Sequence, residues 1–169
     1  MTTTHTIMAS PIGELTLVGV DGALRAVYFP GHWTGPDPAT FGERSGGGFE
    51  AVQEQLAEYF AGERTTFELA TSRVGDGFQR KVWGLIERIP YGETTTYGDL
   101  ARELGDVALA RAVGGAVGHN PLSIIVACHR VLGRDGKLTG YAGGLDRKRF
   151  LLELEAPQTA RELATPSLF

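Results

Sequence analysis

Cysteine is almost missing from this chain: Cys128 is the only one in 169 residues. No intramolecular disulfide can form, which fits a reducing, cytoplasmic location, and cysteine-rich zinc sites are excluded. The four histidines, His5, His32, His119 and His129, are scattered without zinc-ligand spacing. No metal and no cofactor is therefore expected. Long apolar runs are missing too, none approaching the ~18 residues that span a bilayer, so no membrane partner is expected. Met1-Thr2-Thr3-Thr4-His5 has no basic patch leading into an apolar core, which argues against a secretory signal.

A strong excess of positive charge is also lacking. The net charge is −4, which by itself argues mildly against a nucleic-acid partner. Its distribution is uneven: residues 1–77 carry 4 Lys/Arg against 10 Asp/Glu, whereas residues 78–155 carry 11 against 9. Scatter over solvated surfaces would give such a split, and so would a local electropositive face on the second half.

The elements fall into two sets, giving an α+β fold expectation. Residues 1–77 read as a small antiparallel β-sheet domain with a helix. Glu14–Val20 and Ala23–Phe29 are apolar, β-branched runs joined by Asp21-Gly22, a two-residue hairpin signal, and Thr6–Met8 is a third strand candidate. Pro30–Gly48 reads as a surface loop rich in Gly and Pro. A helix is expected over Phe49–Phe60, with Val52, Leu56, Tyr59 and Phe60 on one stripe. A short strand is expected at Phe67–Leu69, and Gly75-Asp76-Gly77 reads as a hinge.

Residues 78–155 read as a mainly helical domain, and 156–169 as a tail. Phe78, Val82, Leu85, Ile86 and Ile89 follow helical spacing up to Pro90. Thr96-Tyr97-Gly98-Asp99 has the N-terminal capping pattern, so a helix is expected to Leu104, with Gly105 as its stop. Asp106 caps a further helix to Gly118, and this close pair suggests a helix-turn-helix. A strand at Leu122–Val126 and a last helix at Asp146–Glu155 complete the reading.

The helix from Asp106 to Gly118 has an unusual outer face. Leu109, Ala112, Val113, Ala116 and Val117 form an apolar stripe with buried spacing. The other stripe holds Arg111, Gly114, Gly115 and Gly118, with Ala110 beside it. Each Gly inside a helix costs about 0.8–1 kcal/mol relative to Ala. A smooth face with one projecting Arg suits close approach by a DNA groove. It suits close packing against another part of the same protein equally well.

Cys128 alone would read as a small buried hydrophobe. Three features point elsewhere: His129 follows it, Arg130 adds a positive charge, and an apolar strand gives way to a loop there. Adjacent cations lower a thiol pKa and raise the thiolate fraction, so a depressed pKa is expected.

Ala127-Cys128-His129-Arg130-Val131 resembles the active-site signature of the O6-alkylguanine-DNA alkyltransferases, the methylated-DNA–protein-cysteine methyltransferases, whose usual form is Pro-Cys-His-Arg-Val. Further segments resemble that family in order and spacing: Phe78–Trp83, Ile89–Thr94, Ala110–Gly114, Asn120-Pro121 and Gly140–Leu145. The resemblance is dense over 78–155 and looser before it.

The resemblance implies stoichiometric, irreversible transfer of an alkyl group from O6-alkylguanine, and from O4-alkylthymine, in double-stranded DNA to Cys128. It implies a helix-turn-helix in the minor groove and base flipping. It further implies a monomer in solution, and leaves cooperative assembly on DNA open. By position, His129 would deprotonate Cys128 through a water, Glu155 would orient His129, and Tyr97 would donate a proton towards the leaving guanine. Arg111 would fill the stack left by the flipped nucleotide, with Ala110, Gly114, Gly115 and Gly118 on the DNA-facing surface. Asn120 would tie the recognition helix to the active-site turn. The Tyr141–Gly144 loop would wall the guanine pocket, with backbone groups near Ala142, Cys128 and Val131 reading the base edge.

Two departures stand out. Ala127 replaces the family's usual Pro, which would loosen the turn entering Cys128 and slow transfer. Gly105-Asp106-Val107 lacks the Pro-Gly common in relatives. Three other readings remain: a relative that binds alkylated guanine without transfer, a thiol hydrolase using Cys128, His129 and Glu155, and a structural cysteine in a helix-turn-helix regulator. Cys128 argues against the first. The Gly-rich face with Arg111 is unexplained by the second.

Overall fold

The structure is a computed structural model describing residues 2–156; the expected tail, apart from Ala156, lies outside the described residues. Strands β1 (Thr3–Met8), β2 (Leu15–Val20) and β3 (Ala23–Tyr28) form an antiparallel meander. The β2–β3 turn is tight because Asp21 and Gly22 both take positive φ, +50° and +85°, as a twisted two-residue hairpin requires. The sheet is not purely antiparallel. A short strand β4 (Glu43–Arg44) from the expected loop pairs parallel to β1 at the sheet edge.

Leu15, Leu17 and Val27 turn to one face and enter the main core, while Val18, Ala26 and Phe41 form a small cluster of their own. Helix α1 (Glu50–Phe60) buries Val52, Leu56 and Tyr59 against the main core. No strand forms at Phe67–Leu69. The contact with β3 comes instead at Thr71, where Leu24 N–H donates to Ala70 O and Ser72 N–H to Leu24 O. The expected hinge is pinned: Asp76 and Gln79 close a reciprocal capping box at the start of α2 (Gly77–Ile86).

Strand β5 (Thr95–Thr96) leads into α3 (Tyr97–Glu103), capped by the Thr96 hydroxyl, which accepts from Asp99 N–H at 3.0 Å. Gly105 follows at φ +101° and reverses the chain. Asp106 caps as expected, but its first turn, Val107–Leu109, is a 3-10 helix, and α4 proper is Ala110–Gly118. Val113, Ala116 and Val117 are buried, whereas Ala112, expected on that face, is exposed. α4 begins later than expected.

The run Leu122–Val126 is a turn rather than a strand. Ile124 sits at φ +73°, a backbone region that strains a β-branched residue. Only Leu122 keeps a strand-like partner, Val27. Cys128–Arg130 is then a 3-10 turn, followed by β6 (Val131–Leu132), parallel to β5. Helix α5 (Leu145–Glu155) closes the described chain. One core joins both halves, running from Leu15 and Tyr59 through Trp83 and Val113 to Leu151. No helix among the described residues is long and apolar enough to cross a membrane.

Candidate active site and DNA interface

Cys128 faces a cavity of about 290 Å³ between the α3–α4 pair and the loop before α5. Tyr97, Gly114 and Val117 line its helical side, and Gly140, Tyr141 and Ala142 the loop side. Gly118 and Trp33 complete the rim. Thus Tyr97, Cys128, Tyr141 and Ala142 come together as expected. Asn120 and Val131 lie outside the cavity lining.

Behind the cysteine is a buried polar cluster. His129 Nε2 lies 2.7 Å from Glu155 Oε2. Arg130 grips the same carboxylate with two donors, Nε to Oε1 at 2.7 Å and Nη2 to Oε2 at 3.0 Å. The Tyr59 hydroxyl donates to Oε2 at 2.6 Å. Burial alone would raise the Glu155 pKa, but the hydrogen bonds from His129 and Arg130 and the Arg130 charge outweigh it and hold the carboxyl well below its usual range. Burial drives the His129 pKa down further than the carboxylate can lift it. The pair is therefore a neutral imidazole donating Nε2–H to a carboxylate. That tautomer leaves Nδ1 as the basic nitrogen, and it is buried without a protein partner among the described residues.

The thiol does not behave as its sequence neighbours suggested. Burial pushes the Cys128 pKa up, against the opposing pull of the Asn120 side chain and the Lys148 charge. Arg130, expected to lower it, is spent on Glu155 and on Ile89 O at 2.7 Å. The neighbouring cation is instead Lys148, fully buried on α5. Its Nζ donates to Val131 O and Thr139 O, both at 2.6 Å, and to Gly140 O at 3.2 Å. Burial lowers the Lys148 pKa to about 8, with the cysteine opposing that shift.

Asn120 ties the end of α4 to the cysteine turn, donating Nδ2–H to Val126 O at 2.8 Å and accepting from Leu122 N–H at 3.0 Å. Near the backbone groups expected at the base edge, the carbonyls already have partners: Val131 O takes Lys148, Ala142 O takes Trp33 N–H at 2.9 Å, and Cys128 O takes Val131 N–H. Each keeps a second lone pair. Tyr141 lies beside Cys128 and Ser123, and its hydroxyl and that of Ser123 are buried without partners meeting hydrogen-bond geometry among the described residues.

On the outer face of α4, Arg111 and Gly115 are exposed, and none of the described residues approaches within 4 Å of the position a Gly115 Cβ would take. Ala110 is half-buried, and Gly114 has the Tyr97 ring 3.9 Å from its Cβ position. Gly118 departs from the expected open face. Its carbonyl accepts from Trp33 Nε1–H at 2.9 Å, and the indole lies 3.3 Å from its Cβ position. Gly118 thus packs against another part of the same protein, whereas Gly115 stays open.

Sequence reasoning missed Lys148, Tyr59 and Trp33. Tyr59 falls on the core stripe of α1, and its hydroxyl is the signal, since a buried Tyr seeks a polar partner. A Trp inside a Gly/Pro-rich loop was the signal for Trp33. Lys148 gave none, because the charged positions of α5 look alike until it packs. Among the described residues no cluster has the makings of a metal site.

Two short helices joined by a tight turn and packed beside a cavity that the cysteine faces are the arrangement expected of a DNA-directed, cysteine-using protein. Two family models match: 6-O-methylguanine DNA methyltransferase, DNA binding domain, over residues 77–157, and 6-O-methylguanine DNA methyltransferase, ribonuclease-like domain, over residues 4–72. The methylated-DNA–protein-cysteine methyltransferase of Mycobacterium tuberculosis is 48% identical over 162 residues, covering 91% of this chain and 93% of that one. That of Methanosarcina acetivorans is 45% identical over 160 residues, covering 89% and 97%. The crystal structure of the M. tuberculosis O6-methylguanine methyltransferase superposes with a TM-score of 0.83 at 46% identity, covering 92% of this chain and 93% of that one. The M. tuberculosis protein in complex with DNA gives 0.84 at 45% identity, covering 92% and 94%. The chain belongs to the methylated-DNA–protein-cysteine methyltransferase family.

Proposed function

We propose that this chain repairs O6-alkylguanine in double-stranded DNA by moving the alkyl group irreversibly to Cys128, one transfer per molecule. The observation that carries this reading is the cavity itself, with Cys128 facing it from beside a helix-turn-helix and the His129–Glu155 pair, 2.7 Å apart, behind. Sγ attacks the alkyl carbon, the carbon–O6 bond breaks, and its electron pair passes to the guanine, which takes up a proton. Thiolate suits displacement at an sp³ carbon. The thioether has no easy hydrolytic route, so the protein is consumed.

Burial keeps Cys128 a thiol at rest, so a base must act at the moment of reaction. His129 is neutral and its Nδ1 is free to accept, which supports proton removal through a water. Glu155 stabilises the imidazolium that forms. Burial also raises the Tyr97 pKa, so its hydroxyl stays protonated and available as a donor to the leaving base. Arg111 enters the DNA stack from an open helix face and holds the place of the flipped nucleotide. The same chemistry extends to O4-alkylthymine. Residues 1–77 serve as scaffold and 78–155 carry DNA binding and transfer, in the cytoplasm, where a lone thiol stays reduced.

The test is intact-protein mass after incubation with a duplex containing O6-methylguanine. A single added methyl, lost in Cys128→Ala, is the expected result. Binding without a mass change would instead identify a non-transferring reader.

A further inference from the structure

Trp33 belongs to the part of the chain furthest from the reactive segment in sequence, yet it stands at the cavity. Its backbone N–H donates to Ala142 O at 2.9 Å, and its indole Nε1–H donates to Gly118 O at 2.9 Å. One residue thus bridges the end of α4 to the loop opposite. The indole also meets His119 edge-on, with ring centroids 5.1 Å apart. Gly118 has no Cβ, and the indole occupies the space beside it.

A Trp so firmly anchored would ordinarily be covered. Trp33 remains 55% exposed, and it lines the same cavity as Cys128, Tyr97 and Tyr141. Its two hydrogen bonds fix the ring without consuming its faces. An aromatic surface held in place at the mouth of a cavity is a stacking platform for a flat heterocycle. Tyr141 and Ala142 line the same cavity, and Cys128 faces the same space.

We propose that Trp33 is a substrate-binding residue whose indole packs against the alkylated purine inside the cavity. The proposal rests on the reading that this cavity receives the flipped base. It makes the first half of the chain part of the active site rather than scaffold alone. It also separates Trp33 from Arg111, which stands on the outer face of α4 and meets the duplex. Loss of Trp33 should therefore slow reaction with a free base as well as with DNA.

The experiment measures the rate of Cys128 alkylation by intact mass, using free O6-benzylguanine and a duplex containing O6-methylguanine, in the wild type, Trp33→Ala and Trp33→Phe. Trp33→Ala is expected to slow both reactions about tenfold, the scale of one lost base–aromatic stack. Trp33→Phe keeps a ring but loses the bond to Gly118 O, and should recover most of that rate. A second readout does not depend on turnover. The other tryptophan, Trp83, is buried and its Nε1–H is held by Ala116 O. Free O6-benzylguanine should therefore quench the emission of Cys128→Ala, and the quench should vanish when Trp33→Phe is added. Wild-type rates in Trp33→Ala, equal losses in both Trp33 variants, or a quench that survives without Trp33 would each overturn the proposal. If the wild type itself takes no alkyl group from either substrate, the repair reading falls, and this proposal with it.

Discussion

Ala127 enters the cysteine turn at φ −77°, an angle the proline ring also adopts. No backbone hydrogen bond from Ala127 N–H is among those of the described residues. Proline at this position would lose no bond and would narrow the unfolded ensemble. Ala127→Pro is therefore expected to raise stability by about 0.4–1 kcal/mol, measured by denaturant unfolding, and to speed transfer to Cys128. A slower reaction in that variant would show that the turn needs the freedom Ala gives. Lys148 is the complementary case. Lys148→Met keeps its bulk but removes the donor to three carbonyls and the positive charge near the thiol. Leaving buried acceptors unpartnered costs about 1–3 kcal/mol. At neutral pH that cost is offset by relief of the buried charge's own penalty, so the effect is read in the chemistry: the variant should react more slowly with free O6-benzylguanine at neutral pH. The deficit should shrink above pH of about 8, where the wild-type amine itself loses its proton.

At the scale of elements, much of the fold was legible, because local rules and tertiary packing agree there. Asp21-Gly22 demands the hairpin, Thr96 caps α3, and the spacing of Val113, Ala116 and Val117 gives α4 its buried side. Leu122–Val126 was misread for a physical reason. A β-branched apolar run looks like a strand, but here the chain reverses at Ile124, where Ile125 N–H donates to Ser123 O and Val126 N–H to Leu122 O, both at 2.8 Å. The Cys128–His129–Glu155 group was legible through family resemblance. Burial of the thiol and the diversion of Arg130 to Glu155 were not, because they depend on which side chains meet across distant segments. The outer face of α4 gives the prediction proper to this scale. Arg111 is exposed and has no role in the cavity lining. Arg111→Ala should slow repair of duplex DNA while leaving the rate with free O6-benzylguanine near that of wild type. Equal losses on both substrates would place Arg111 in the chemistry and not in the duplex.

For the whole molecule, the two halves differ in composition and charge but are not separable in their packing. Tyr59 from α1 bonds Glu155 at the end of α5, Trp33 bonds Gly118 and Ala142, and Val27 N–H donates to Pro121 O at 2.9 Å. A single apolar core passes through both halves. Unfolding should therefore be one cooperative transition, with near-UV and far-UV signals coincident in urea. Tyr59→Phe, which removes one donor to a buried carboxylate, should shift that single transition by about 1.5–3 kcal/mol and not split it. The buried bases also set a pH dependence. His129 has a folded pKa below its ordinary 6.5, so between the two values the unfolded chain binds more protons. Its contribution to stability is complete above pH of about 6.5 and is lost as pH falls through the folded value. Glu155, held as a carboxylate well below the usual range, acts in the same direction at still lower pH. Lys148, depressed from 10.5 to about 8, opposes folding at neutral pH, and that penalty is relieved as pH rises between those values. Stability should thus fall on acidification below neutrality, and His129→Gln should flatten the part of that fall just below pH of about 6.5. Two separate transitions in urea would mean that the contacts between the halves are too weak to couple them.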